Sequence, residues 1–162
     1  GIRTPFQYFG VALDPNMEPD PALADLARST LGANAECFRM DSRTTVVPEE
    51  GTRPETPIYK PVSWITVDGH MDYDKLHALC VEAWRKLELP RILLELCEND
   101  APKTRYVVGM RAIESAAAKL ARPVRIDEAA LLAIGRKIAA HTGASRVAYD
   151  ISIKPPATIE FE

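Results

Sequence analysis

The residues best suited to chemistry lie at the end of the chain. Lys154 precedes a Pro155-Pro156 pair, and Ala157-Thr158-Ile159-Glu160-Phe161-Glu162 follows. Two prolines fix the backbone, so they present Lys154 in one direction at small entropic cost. The alternation behind them puts Thr158 and Glu160 on one side, Ile159 and Phe161 on the other. An ammonium is a compact point charge suited to a phosphate. A carboxylate such as Glu160 accepts from ribose hydroxyls or purine N–H groups. The same residues also suit a plain edge strand with solvated charges, and their types alone leave both readings open.

Other reactive side chains are scattered. Cys37, Cys80 and Cys97 sit in Glu-Cys-Phe, Leu-Cys-Val and Leu-Cys-Glu contexts, with no C-x-x-C pair and no nucleophile turn. Cys80 falls on an apolar helical stripe and reads as core. His70, His77 and His141 lack metal-ligand spacing, and His77 reads as a flank residue beside Leu76. Asp68-Gly69-His70, with Asp72 and Asp74, lacks the length and terminal Glu of a calcium loop and reads as a turn plus helix cap. No metal site is expected.

Composition bounds the rest. The 162 residues are 46% hydrophobic and 27% charged, which excludes disordered and collagen-like classes. A net charge of −3 argues against a nucleic-acid binder. No apolar run reaches the roughly 20 residues of a membrane helix, so no membrane span is expected. Three scattered cysteines and no signal-peptide pattern point to a reduced, cytoplasmic setting. The chain opens at Gly1 rather than Met, which suggests an expressed fragment or a cleaved tag.

The elements that must position the tail read more clearly toward the C-terminus. Phe6–Leu13 suggests a short strand broken by Gly10. Asp20, Pro21 and Gly32 frame a helix. Glu36–Met40 and Thr44–Val47 suggest brief strands, and four prolines between 48 and 61 forbid a long element. Val62–Val67 is a strand. Asp72–Leu87 is a helix whose apolar stripe is Leu76, Leu79, Cys80, Ala83, Trp84 and Leu87, and Ile92–Cys97 is a strand. Tyr106–Ile113 is a strand, Asp127 caps a helix that Gly143 ends, and Val147–Ile151 is a strand. Residues 62–97 and 105–151 thus share a strand-helix-strand plan. The expected fold is α+β, a two-layer sandwich with helices on one face of a small sheet. The expected division is an irregular segment with one helix over 1–60, a strand-helix-strand subdomain over 61–100, and a C-terminal domain over 104–162.

The tail has a specific likeness. Arg146-Val-Ala-Tyr-Asp-Ile-Ser-Ile-Lys-Pro-Pro-Ala-Thr-Ile-Glu-Phe-Glu162 resembles the C-terminus of GMP synthase, at nearly every one of 17 positions. Tyr106-Val-Val-Gly-Met-Arg-Ala112 resembles that family's Y-V-V-A-L-R-A strand, and Arg125-Ile126 resembles its R-I-P segment, with Asp127 in place of the proline. The likeness spans about 105–162. Ala116-Ala117-Ala118-Lys119 departs from the family's F-M-T-A-like segment, and Phe161 stands for its Trp.

The resemblance implies a C-terminal dimerisation domain of an enzyme that converts XMP to GMP, and a contact with XMP through Lys154, Glu160 and Arg111, with Thr158 beside them. It implies a homodimer, and a setting among ATP pyrophosphatase and glutaminase domains. The S-G-G-x-D-S loop of the pyrophosphatase is not in the sequence, so ATP and Mg²⁺ are expected only in a full-length enzyme and no cofactor in this chain. The implied function is a non-catalytic module of purine nucleotide biosynthesis. The alternatives are a stand-alone purine-nucleotide-binding or regulatory protein, and a purely structural dimerisation module with remnant charges.

Overall fold

The computed structural model describes residues 2–3, 7–10, 21–32, 35–36, 63–67, 71–103, 107–117 and 120–157. In chain order the elements are β1 (Ile2–Arg3), β2 (Gln7–Gly10), α1 (Pro21–Leu31), β3 (Ala35–Glu36), β4 (Ser63–Val67) and α2 (Tyr73–Leu87). There follow β5 (Ile92–Glu98), β6 (Val107–Arg111), β7 (Ile113–Ala117), β8 (Leu120–Pro123), α3 (Glu128–Thr142) and β9 (Arg146–Asp150). The expected Thr44–Val47 strand, most of Glu36–Met40 and the Asp20 cap lie outside the described residues.

Local chemistry sets the helix ends. The Asp72 carboxylate accepts from the Asp74 and Lys75 amides and starts α2, and the Asp127 carboxylate accepts from Ala130 and starts α3. Gly143 closes α3 in the left-handed region, at φ 72°, where glycine meets no steric penalty. There an added Cβ would also meet the Lys103 Cβ at 2.8 Å. Glu88 takes the same role after α2 without being glycine.

A mixed sheet runs β2-β6-β9-β5-β4-β3, and a smaller one runs β1-β7-β8. β4 and β5 are parallel neighbours joined through α2. β6 and β9 are parallel neighbours joined through β7, β8 and α3. β5 and β9 meet antiparallel, so the two strand-helix-strand units abut through their last strands. All three helices contribute to one apolar core with Ile92, Leu94 and Leu96 of β5, Val108 and Met110 of β6, and Val147 and Tyr149 of β9. Those alternate positions share one sheet face. The architecture is the expected two-layer α+β sandwich. α3 lies so close to β5 that a Cβ on Gly135 would meet the Leu96 Cβ at 3.1 Å.

Two sequence expectations change. Tyr106–Ile113 is not one strand. The run divides at Ala112, and Ile113–Ala117 turns into the second sheet as a hairpin with β8. β2 covers β6 antiparallel on the side away from β9. Trp84 leaves the α2 stripe and stands 46% exposed, while Leu76, Leu79, Cys80 and Ala83 are buried. Eight residues at about 100° each set position 84 roughly 80° round the helix from Leu76, at the margin of the buried stripe.

Candidate functional site

Strand β9 delivers the tail. Its core-facing residues, Val147 and Tyr149, are fully buried, with Ile151 beyond them. The Tyr149 hydroxyl lies 3.1 Å from the Ala112 carbonyl and 2.8 Å from that of Val124, which fastens both ends of the β7–β8 excursion to β9. Burial pushes this phenol well above its ordinary range.

The alternate residues of β9 bury charge. Asp150 is completely buried, and two arginines converge on it. Arg91, just before β5, donates through Nη1 to Oδ2. Arg111, the last residue of β6, places Nη1 3.0 Å from Oδ1. The parallel pairing of β6 with β9 brings Arg111 there. The same Nη1 donates to the Ser152 carbonyl at 3.1 Å, and the Ser152 amide donates to Asp150 Oδ1 at 2.8 Å. The Ser152 hydroxyl accepts from the Ile92 amide at 2.7 Å and lies 3.2 Å from its carbonyl. Asp150, Arg111 and Ser152 therefore form one buried polar cluster that sets the direction in which the chain leaves β9.

Arg111 is 3% exposed, so it is not a surface strand arginine. Burial draws its guanidinium below the usual arginine range, and the Asp150 carboxylate opposes that shift. Its Nε and Nη2 have no hydrogen-bond partner among the described residues. Buried donors of this kind are costly unless something accepts from them. Nε and Nη2 form the planar edge of a guanidinium that matches a carboxylate or a phosphate.

Two residues beyond Ser152, the backbone of Lys154 pairs with Ala121 of β8. The Lys154 amide donates to Ala121 at 2.8 Å, and the Ala121 amide donates back at 3.0 Å. The Ala157 amide donates to the Ile153 carbonyl at 2.9 Å, closing a turn around Lys154-Pro155-Pro156. Both prolyl bonds of the turn are cis. Lys154 is half-buried at this corner. Thr158 and Glu160 lie outside the described residues. Of the four residues singled out from sequence, Arg111 and Lys154 are therefore placed, and Ser152 links them. Sequence reading missed Asp150, Arg91 and Ser152. The available signal was Asp150 itself, a carboxylate inside the apolar run Val147-Ala-Tyr-Asp-Ile151, which demands a cation.

Cys80 is inert here. Its thiol lies 3.4 Å from the Ile151 carbonyl, and burial raises its pKa to about 12. Among the described residues no group of three or more His, Cys, Asp or Glu side chains could hold a metal ion. No helix among them is long and apolar enough to cross a membrane.

Known proteins resemble the C-terminal part of the chain. Residues 96–161 match the family model described as "GMP synthase C terminal domain". This region is similar to the C-terminal domain of GMP synthases. The match begins inside β5 and takes in β6 through β9, α3 and the tail. A GMP synthase [glutamine-hydrolyzing] of Marinobacter nauticus is 44% identical over 65 residues, which are 40% of this chain and 12% of that protein. A protein of Archaeoglobus fulgidus, named as one subunit of a GMP synthase [glutamine-hydrolyzing], is 45% identical over 58 residues, 35% of this chain and 19% of that protein. The enzyme of Alcanivorax borkumensis is 47% identical over 65 residues, again 40% and 12%. The chain thus spans less than a fifth of the length of these curated relatives.

Proposed function

We infer that this chain is a non-catalytic module of a GMP-synthase-type enzyme, and that its C-terminal corner binds the purine monophosphate XMP. The observation that carries the reading is the corner itself. The buried Asp150–Arg111–Ser152 cluster fixes the chain two residues before Lys154, and β8 holds Lys154 at the turn. In this reading Lys154 meets the phosphate, the free edge of Arg111 adds two donors, and Glu160 with Thr158 addresses the ribose or the base edge. Arg111 also has a purely structural assignment, favoured by its burial, in which it serves only to fasten the tail.

Titration of the chain with XMP by calorimetry tests this. A charge-assisted hydrogen bond is worth roughly 1.5–3 kcal/mol, so Lys154→Ala should weaken binding about 10- to 150-fold and flatten its salt dependence. Glu160→Gln should spare phosphate binding and blur discrimination between XMP and AMP. Equal affinity of the native chain and Lys154→Ala rejects the reading.

We further propose a homodimer, working with ATP pyrophosphatase and glutaminase domains or subunits that hold ATP and Mg²⁺. Two of the relatives are named as single subunits of a GMP synthase, which supports a setting among separate subunits. Because β2 covers β6, the dimer contact is not an addition to that strand's edge. A specific interface should bury on the order of 1,200–2,000 Å² in total. Sedimentation as a monomer at tens of micromolar chain contradicts the homodimer.

A further inference from the structure

A polar recess lies between the first turns of α2 and strand β8. It encloses about 150 Å³, and Tyr73, Leu76, His77, Arg122, Arg125 and Ile151 are among its lining residues. Its chemistry is one-sided. Three basic side chains from three different segments border it, His77 from α2, Arg122 from β8 and Arg125 from the approach to α3, and among the described residues no carboxylate lines it. Leu76 and Ile151, both almost fully buried, are its apolar members.

The two arginines are held at the rim rather than consumed. Arg122 faces Glu114 through Nε, at 3.5 Å, and its side chain is 75% exposed. Arg125 is paired with Asp74 through Nη2 and lies over the Tyr73 ring, 6.0 Å from the centroid. Exposed pairs of this kind contribute little, so an incoming anion displaces or shares them at low cost. The Tyr73 hydroxyl is already committed to the Ile126 carbonyl at 2.8 Å and the Ile126 amide at 3.0 Å, which fixes the recess wall.

Size and geometry select the ligand. Pockets for drug-sized molecules are about 300–1,000 Å³, so this one is too small for a whole nucleotide. Two guanidinium groups and an imidazole around an apolar floor suit a compact oxyanion with several acceptor oxygens. We propose that the recess between α2 and β8 is a phosphate-binding site, formed by Arg122, Arg125 and His77. Lys154 is not among its lining residues, so the site stands independently of the XMP reading.

The test is a phosphate titration of the full chain followed by ¹H–¹⁵N correlation NMR, with sodium chloride at matched ionic strength as the control. Saturable shifts concentrated at residues 73–77 and 122–126, weakened at least tenfold in Arg122→Glu and in Arg125→Ala, support the site. Arg122 is mostly exposed, so its replacement leaves the fold intact, and an unchanged spectrum elsewhere verifies this. Shifts that do not saturate, that chloride reproduces, or that persist at full affinity in both variants overturn it. The source of the phosphoryl group is read in the Lys154→Ala background. Displacement of phosphate by XMP assigns the recess to a nucleotide phosphoryl group, and no displacement assigns it to free phosphate.

Discussion

The two faces of β9 are equally dry and chemically opposite. Toward the helices, Val147, Tyr149 and Ile151 join an apolar core in which each buried side chain contributes roughly 1.5–3 kcal/mol. On the other face, Ala148 and Asp150 are as fully buried, yet Asp150 is held by two guanidinium groups and a backbone amide. Burial therefore does not tell core from site in this molecule. What separates them is what each buried group would leave behind if it were removed. A lost methyl leaves a void, whereas a lost carboxylate leaves two cations without a counter-charge.

The sharpest way to break that contrast is Asp150→Ala. It deprives Arg91 and Arg111 of a shared partner, and removal of one member of a buried ion pair costs about 3–5 kcal/mol. Urea unfolding should show the loss. A loss under about 1 kcal/mol would mean that the charged face is solvated and the contrast false.

Alkaline pH probes the helix-covered face. Burial raises the Cys80 thiol from its ordinary 9.0 to about 12 in the fold. Between these values the unfolded chain holds fewer protons than the native one, so stability is full below pH 9 and falls as pH rises through this window. That difference corresponds to about 4 kcal/mol at most. Cys80→Ala should remove that component from the pH dependence. An unchanged slope between pH 9 and 12 in this variant would falsify the buried-thiol account.

Tyr149→Phe keeps the packing and deletes the hydroxyl that touches the Ala112 and Val124 carbonyls. The expected loss is about 1–3 kcal/mol, and hydrogen exchange should speed up first in β7 and β8. Gly135→Ala should have the smallest effect. Its new Cβ presses on Leu96, while alanine gains up to about 1 kcal/mol in helix propensity over glycine. The net cost should be within about 1 kcal/mol in thermal unfolding. A gain in stability would show that Leu96 yields and that the α3–β5 contact is looser than its geometry.

Sequence alone revealed much of the frame, because the frame rests on short-range chemistry. Asp72, Asp127 and Gly143 announce helix ends within three or four residues of where they act. The β7–β8 hairpin was not legible. Alanine-rich Ala116-Ala117-Ala118 carries no strand propensity, and the hairpin is held by pairing with β1 and by Tyr149, both distant in sequence. Trp84 misleads for the opposite reason, since its size suggests core while its phase puts it at the margin of the α2 stripe, where it stands exposed. At the candidate site, the tail motif identified Lys154 directly. The role of Arg111 needed the register of β6 on β9, and its partner Asp150 lies 39 positions away. Long-range pairing of that kind has no local signature in one sequence.

The central claim is that this corner reads a purine monophosphate through Lys154. The most direct measurement is a structure of the chain determined with XMP. The account predicts the phosphate within hydrogen-bond distance of the Lys154 ammonium, with Glu160 against the ribose or base. An ordered XMP whose phosphate sits elsewhere, with Lys154 making no contact to it, would contradict the account.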